Sequence, residues 1–180
     1  MFVIFLAPAA NNSLRVAITS KQHEQFETLL DEHKKILYKV ANLYSRNHED
    51  RDDLAQEIMV QLWRSFASFD GRVQFSTWMY RIALNVAISN YRRESKRKRC
   101  VLSDEEQLLK AVDTSSTDRS EELQVLYQLI GGLDPLNKAL LMLYLDGNSY
   151  AETAEVLGIS ETNVATKISR LKQQLKQGKA

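Results

Sequence analysis

The sequence predicts an all-α protein: two small helical domains joined by a flexible linker, the second a helix-turn-helix. Three observations carry this. Apolar residues recur at helical spacing through most of the chain, and nowhere do they alternate with period two for long enough to build a sheet. Only two Pro and six Gly interrupt 180 residues, of which 44% are hydrophobic and 26% charged, so the composition is globular and favours helices. The chain then closes on a pattern of cap, small residue, glycine and second cap that two short crossing helices require.

The first block spans residues 18–99. A helix is expected from Glu24 to Tyr44, with Phe26, Leu29, Leu30, Leu37, Val40 and Ala41 facing inward. The run His48-Glu-Asp-Arg-Asp ends it, and Asp50 can cap a second helix from Arg51 to Phe66 whose inner stripe is Leu54, Ile58 and Leu62. Ser68-Phe-Asp-Gly-Arg-Val is a turn around Gly71. A third helix begins near Ser76, with Trp78, Ile82 and Val86 spaced to pack inward, and runs into the basic stretch Tyr91-Arg-Arg-Glu-Ser-Lys-Arg-Lys-Arg.

Residues 100–120 read as the linker: polar, charge-mixed, with Asp113-Thr-Ser-Ser-Thr-Asp and a possible short helix over Ser103–Val112. The second block, residues 121–177, starts with a helix near Glu121–Ile130, broken by Gly131-Gly132. Pro135 suits the first turn of the next helix, where Leu136, Leu140, Leu143 and Tyr144 supply packing until Asp146-Gly-Asn stops it. Ser149 with Glu152 then makes a capping box, Ala154 permits a close helix crossing, Gly158 supplies a left-handed stop, and Ser160 caps the last helix. On that helix Val164, Ile168, Leu171 and Leu175 form a core stripe. Asn163, Thr166, Lys167 and Arg170 form a polar one, free to meet base edges and phosphates in a major groove. An ordinary helical hairpin with a solvated face would share the periodicity, but not the concurrence of caps, Ala, Gly and both stripes.

Charge and cysteine content narrow the classes further. The net charge of +1 hides a basic cluster before residue 100 and an acidic, Ser/Thr-rich stretch over Ser103–Glu122, a segregation that points to nucleic acid. Cys100 is the sole cysteine, so no internal disulfide forms, and His23, His33 and His48 have no ligand spacing, so neither metal nor cofactor is expected. Met1–Ala10 is apolar and ends Ala7-Pro-Ala-Ala, superficially like a secretory signal. No basic residue precedes the run and it is too short to span a bilayer, so residues 1–17 are expected to be a disordered extension of a cytoplasmic protein without membrane insertion. No Gly-rich phosphate loop or nucleophile–base pair is present. Asp52, Asp53 and Glu57 lie in the first turns of a helix, where acids are expected regardless, so no enzyme is predicted.

Two internal segments add a resemblance. Asp52-Asp-Leu-Ala-Gln-Glu-Ile-Met-Val-Gln-Leu-Trp, followed by Phe75-Ser-Thr-Trp-Met-Tyr-Arg-Ile-Ala-Leu-Asn-Val-Ala, resembles the promoter-binding domain of bacterial RNA polymerase sigma factors. With the terminal helix-turn-helix, the order resembles the two-domain extracytoplasmic-function group over residues 18–177. The gap between the blocks is too short for the middle domain of housekeeping sigma factors. The resemblance implies that the second helix contacts the clamp helices of the polymerase largest subunit through Asp53, Gln56, Glu57, Met59 and Trp63. The residues alone leave Trp63 open as core or as interface anchor.

The third helix is implied to read the minus-ten element as separated single strand, with Asn85 pairing to a base edge and the Phe69-Asp-Gly-Arg72 loop holding a flipped base. An Asn there could instead be a buried helix residue bonded to backbone. Arg81 and Ile82 stand where housekeeping members carry paired tryptophans, which implies weaker intrinsic melting. Arg92, Arg93, Lys96 and Arg97 continue as a phosphate track, while Lys98 and Arg99 also suit a solvated charge run. The last domain is implied to read the minus-thirty-five duplex through Asn163, Thr166, Lys167 and Arg170, with Lys172 on a phosphate, and to dock on the polymerase flap tip.

The family often has two arginines where this chain has Lys167 and Arg170. A lysine is a point charge and not a bidentate fork, so Lys167 suits a phosphate as well as a guanine. The family's Leu-Pro occurs here as Leu133-Asp-Pro135, which offsets Lys138 from the usual arginine. Implied partners are core RNA polymerase, promoter DNA and an anti-sigma protein clamping both domains. The competing readings are a helix-turn-helix regulator that binds duplex DNA without polymerase and a helical protein-binding module.

Overall fold

A computed structural model describes residues 20–45, 47–101 and 130–177, with side chains to residue 97 in the second stretch. Six helices have both ends in these stretches: α1 (Ser20–Tyr44), α2 (His48–Phe66), α3 (Phe75–Val101), α4 (Pro135–Leu145), α5 (Tyr150–Leu157) and α6 (Glu161–Lys176). There is no strand among the described residues. The extension over residues 1–17, the linker over 100–120 with its possible short helix, and most of the helix expected near Glu121–Ile130 lie outside them.

The first three helices pack against one another as a bundle. From α1 come Phe26, Leu37, Val40 and Ala41, as the spacing predicts, with Ile36 and Tyr44 added; α2 gives Leu54, Ile58, Leu62 and Phe66. The N-cap of α2 differs from expectation. Asn47, and not Asp50, caps it: the Asp50 amide donates to Asn47 Oδ1 at 2.7 Å, so the helix begins at His48. Glu49 and Asp50 then lie in the first turn, favourable beside the positive helix end.

A second correction concerns α3. The stripe Trp78, Ile82, Val86 is only partly buried; the fully buried arc is Met79, Tyr80, Ala83, Leu84 and Ala87. The physical reason is that α3 is covered twice. α1 and α2 pack on one side, α4 and α5 on another, and the centre of burial falls between them. Ala139, Leu143 and Val156 of the second block thereby join the core of the first. Trp78 instead closes an aromatic group, its ring centroid 5.1 Å from Phe69 and 5.3 Å from Phe75.

In the second block, residues 130–132 are helical, so Gly131-Gly132 does not break the chain; the bend falls at Leu133. Asp134 caps α4, accepting from the Leu136 and Asn137 amides, with Pro135 at the first helical position. Tyr144, expected inside, is partly exposed, with the Lys172 ammonium 4.2 Å over its ring. The capping box at α5 is present in both directions: Ser149 Oγ accepts from the Glu152 amide and Glu152 Oε2 accepts from the Ser149 amide. Gly158 has φ +65°, and Ser160 accepts from the Asn163 amide to start α6. Leu133, Leu140, Leu141, Val164, Ile168 and Leu171 make the second core.

The Ser149 hydroxyl and amide both donate to Glu152 and hold its carboxyl below the usual carboxylate range. A depressed folded pKa contributes stability that is present above the unfolded value of about 4.3 and is lost as pH falls through the folded one. Ser149→Ala removes the N-cap acceptor of α5 and should destabilise the second block by about 1 kcal/mol near neutrality. A thermal-denaturation series in pH checks both points, with the gap between wild type and variant narrowing in acid.

Candidate nucleic-acid interface

Helix α6 presents Asn163, Thr166 and Arg170 exposed on one face, with Lys167 partly buried beside them. The opposite face, Val164, Ile168 and Leu171, is sealed in the second core, so the polar face is rigidly aimed outward. Thr166 Oγ1 donates to Thr162 O at 2.9 Å, which leaves its lone pairs and methyl to an incoming ligand. Lys172 stands on the other side of α6 from Asn163, over Tyr144, and the structure does not bring it to this face.

A second surface is the groove between α2 and α3, lined by Glu57, Gln61, Ile82, Asn85, Val86, Ser89, Asn90 and Arg93. Asn85 is exposed, not a buried helix Asn, and lines the groove together with the apolar Ile82 and Val86. An aromatic-free slot of this type can hold a base edge by amide pairing while methyls cover its faces. Glu57 belongs here as well. Asn90 Nδ2 donates to Glu57 Oε2 at 3.3 Å, Arg93 donates to Asn90 Oδ1 at 3.2 Å, and Arg93 lies 3.8 Å from Glu57. This places Glu57 with the α3 residues and away from Met59 and Trp63, with which the sequence reading grouped it.

The turn between α2 and α3 is tied to itself. Arg72 donates its backbone amide to Asp70 Oδ1 at 3.1 Å and its Nε lies 3.0 Å from Asp70 Oδ2, around Gly71 at φ +73°. Phe69 is anchored by stacking on Phe66 and edge contact with Phe75, so it holds the loop while Asp70 and Arg72 stand out in solvent. Arg92, Arg93, Lys96 and Arg97 are all exposed along the end of α3. Arg81 departs from the rest: it donates to Glu155 O on α5 at 2.7 Å.

The outer ridge of α2 carries Asp53, Gln56, Val60 and Arg64 in solvent. Met59 is partly buried, and Trp63 is half covered by α1, its ring 5.0 Å from His23 and 5.1 Å from Phe26. Val60, 46% exposed, was not singled out from sequence. Its signal was available: it lies off the Leu54, Ile58, Leu62 stripe, an apolar residue among Gln56, Gln61 and Arg64. No group of three or more His, Cys, Asp or Glu with metal-binding arrangement occurs among the described residues, and no helix there is long and apolar enough to cross a membrane.

Against known proteins, residues 29–97 match the family described as Sigma-70 region 2, and residues 123–175 match Sigma-70, region 4. The ECF RNA polymerase sigma factor SigM of Mycobacterium tuberculosis is 26% identical over 170 residues, covering 92% of this chain and 83% of that protein. RNA polymerase sigma factor YlaC of Bacillus subtilis is 31% identical over 159 residues, covering 83% of this chain and 91% of that one. Among solved structures, the sigma factor RpoE of Bartonella quintana, in complex with the anti-sigma factor NepR, superposes with a TM-score of 0.70. At 22% identity over 86% of this chain and 96% of that one, it speaks to the fold.

Proposed function

From the premise that the chain belongs to the sigma-70 family, among its ECF members, we propose how its surfaces divide the work of a transcription initiation factor acting with RNA polymerase. The domain over residues 18–99 binds core polymerase through the outer ridge of α2, with Asp53, Gln56, Met59 and Trp63. It reads the minus-ten strand through the α2–α3 groove with Asn85, the Asp70–Arg72 turn and the track Arg92, Arg93, Lys96 and Arg97. The domain over residues 121–177 reads the minus-thirty-five duplex through Asn163, Thr166, Lys167 and Arg170, and residues 100–120 join the two. The chain catalyses no reaction itself, acts in the cytoplasm, and is held in reserve by an anti-sigma protein, as the RpoE–NepR complex suggests by likeness.

The observation that carries this reading is the rigid outward aim of the α6 polar face in the same chain as the Asn85 groove, in the family's order. Transcription by sigma-free bacterial core polymerase on a pool of promoter fragments tests it. Discrete starts sharing two spaced motifs are expected when the chain is added. No core-dependent initiation, with a shift of duplex DNA by the chain alone, would instead indicate a helix-turn-helix regulator. Base-edge contacts in the major groove contribute about 1–3 kcal/mol of discrimination each, so Arg170→Ala should relax preference at one position of the minus-thirty-five motif. If the α3 track neutralises about four phosphates, it should contribute about −3.6 to the slope of log promoter affinity against log salt, and Lys96→Ala should make the holoenzyme's slope shallower by about one. Titration at several salt concentrations measures both.

A further inference from the structure

Among the described residues that line the groove between α2 and α3, Glu57 is the only acid. Asn90 Nδ2 donates to its Oε2 at 3.3 Å, the Arg93 guanidinium lies 3.8 Å from the same oxygen, and Arg93 donates to Asn90 Oδ1 at 3.2 Å. This triangle fixes the carboxylate and places both contacts on Oε2, so Oε1 can accept from an incoming donor. The network is a poor source of stability. Glu57 is 46% exposed and Arg93 70%, and ion pairs so open to water contribute little.

A carboxylate is also costly in a groove that takes a polyanion, because it repels phosphate and the keto oxygens of a base. Thymine has no amino group, and its ring N–H is flanked by two keto oxygens. Guanine, adenine and cytosine each carry an exocyclic amino group, and on a strand out of its duplex that group is open to a carboxylate. Glu57 meets α3 at Asn90 and Arg93, about 8–12 Å along the helix from Asn85. Stacked bases are about 3.4 Å apart along a strand, so Glu57 and Asn85 address different nucleotides. The groove, about 430 Å³, has the size of clefts that bury whole small molecules, roughly 300–1,000 Å³. We infer that Glu57 is a second base-reading residue of this groove: its carboxylate accepts from the exocyclic amino group of an unpaired base and selects against thymine there. The inference rests on the minus-ten reading proposed above and names the base chemistry that the groove takes.

Binding of holoenzyme to promoter DNA with an unpaired minus-ten strand tests it, one position at a time. At one position thymine should bind about fivefold or more worse than the preferred base. An analogue lacking only the amino group should lose a similar factor: hypoxanthine for guanine, purine for adenine, pyrimidinone for cytosine. The analogue that is penalised tells which base supplies the group. Glu57→Ala should shrink both penalties to about twofold or less. Glu57→Gln keeps an acceptor and adds a donor, so it should admit thymine nearly as well as the preferred base. Asn85→Ala should relax a different position. Each value is a ratio between two DNAs on one saturated holoenzyme, so a change in core affinity cancels. Penalties unchanged in both Glu57 variants overturn the assignment. Relaxation at the position that Asn85→Ala also relaxes overturns it too, because Glu57 would then only support Asn85. Absence of any base preference in the wild-type holoenzyme would overturn the minus-ten reading itself, and this inference with it.

Discussion

Val60→Asp should weaken binding to core polymerase about 30-fold or more while leaving the fold intact. Val60 is the apolar centre of the exposed α2 ridge, flanked by Gln56 and Arg64, and is 46% exposed. An apolar residue at the middle of a polar rim is the position where truncation or charge typically costs 2 kcal/mol or more, about a 30-fold change. Aspartate adds the desolvation of an unpaired carboxylate to the lost contact. In the free chain the side chain is in water, so stability should change by less than about 0.5 kcal/mol. Fluorescence titration of labelled chain with core, paired with a urea melt, separates the two effects. Unchanged affinity would move the polymerase contact off this ridge.

Leu62→Ala should have the largest effect on stability. Leu62 is fully buried at 0% exposure, between the α1 and α3 faces of the first bundle. Removing three heavy atoms there costs the lost transfer energy and leaves a cavity, about 2–5 kcal/mol in all. Domains of this size are stable by only about 5–15 kcal/mol, so a large share would be lost. A fall in the urea midpoint with the slope unchanged is the expected signature. Because the α2–α3 groove depends on that packing, transcription should fall at temperatures where wild type is still active. A variant melting as wild type does would mean that the bundle repacks freely around this position.

What could be read from the residues alone was local chemistry. The Ser149–Glu152 box, Gly158, Ser160 and the Val164, Ile168, Leu171 stripe are each settled within one or two turns, and all stand as expected. The α2 cap was harder because Asn47 and Asp50 lie one turn apart and either side chain can accept. The inward arc of α3 was misread because the helix is covered from two sides, and the second cover comes from residues far along the chain. Lys39 and Asp146 are 107 residues apart, and Arg81 and Glu155 are 74 apart. No periodicity within a helix encodes such partners. The α3 partners of Glu57 were hidden for a related reason. All three lie on α2, but Glu57 turns towards α3 and Trp63 towards α1.

The double cover of α3 also bears on how the chain is made. A ribosome delivers the first bundle before the residues of α4 and α5 exist. At about 5–20 residues per second, the 56 residues between Val101 and Leu157 take roughly 3–11 s to emerge. During that interval the strip of α3 destined for Ala139, Leu143 and Val156 faces the crowded interior of the cell without its natural cover. A nascent chain in which α3 has cleared the ribosome but α4 and α5 have not should therefore be stickier towards holding chaperones than one in which all three have emerged, a difference set by the order of synthesis and by nothing in the finished molecule.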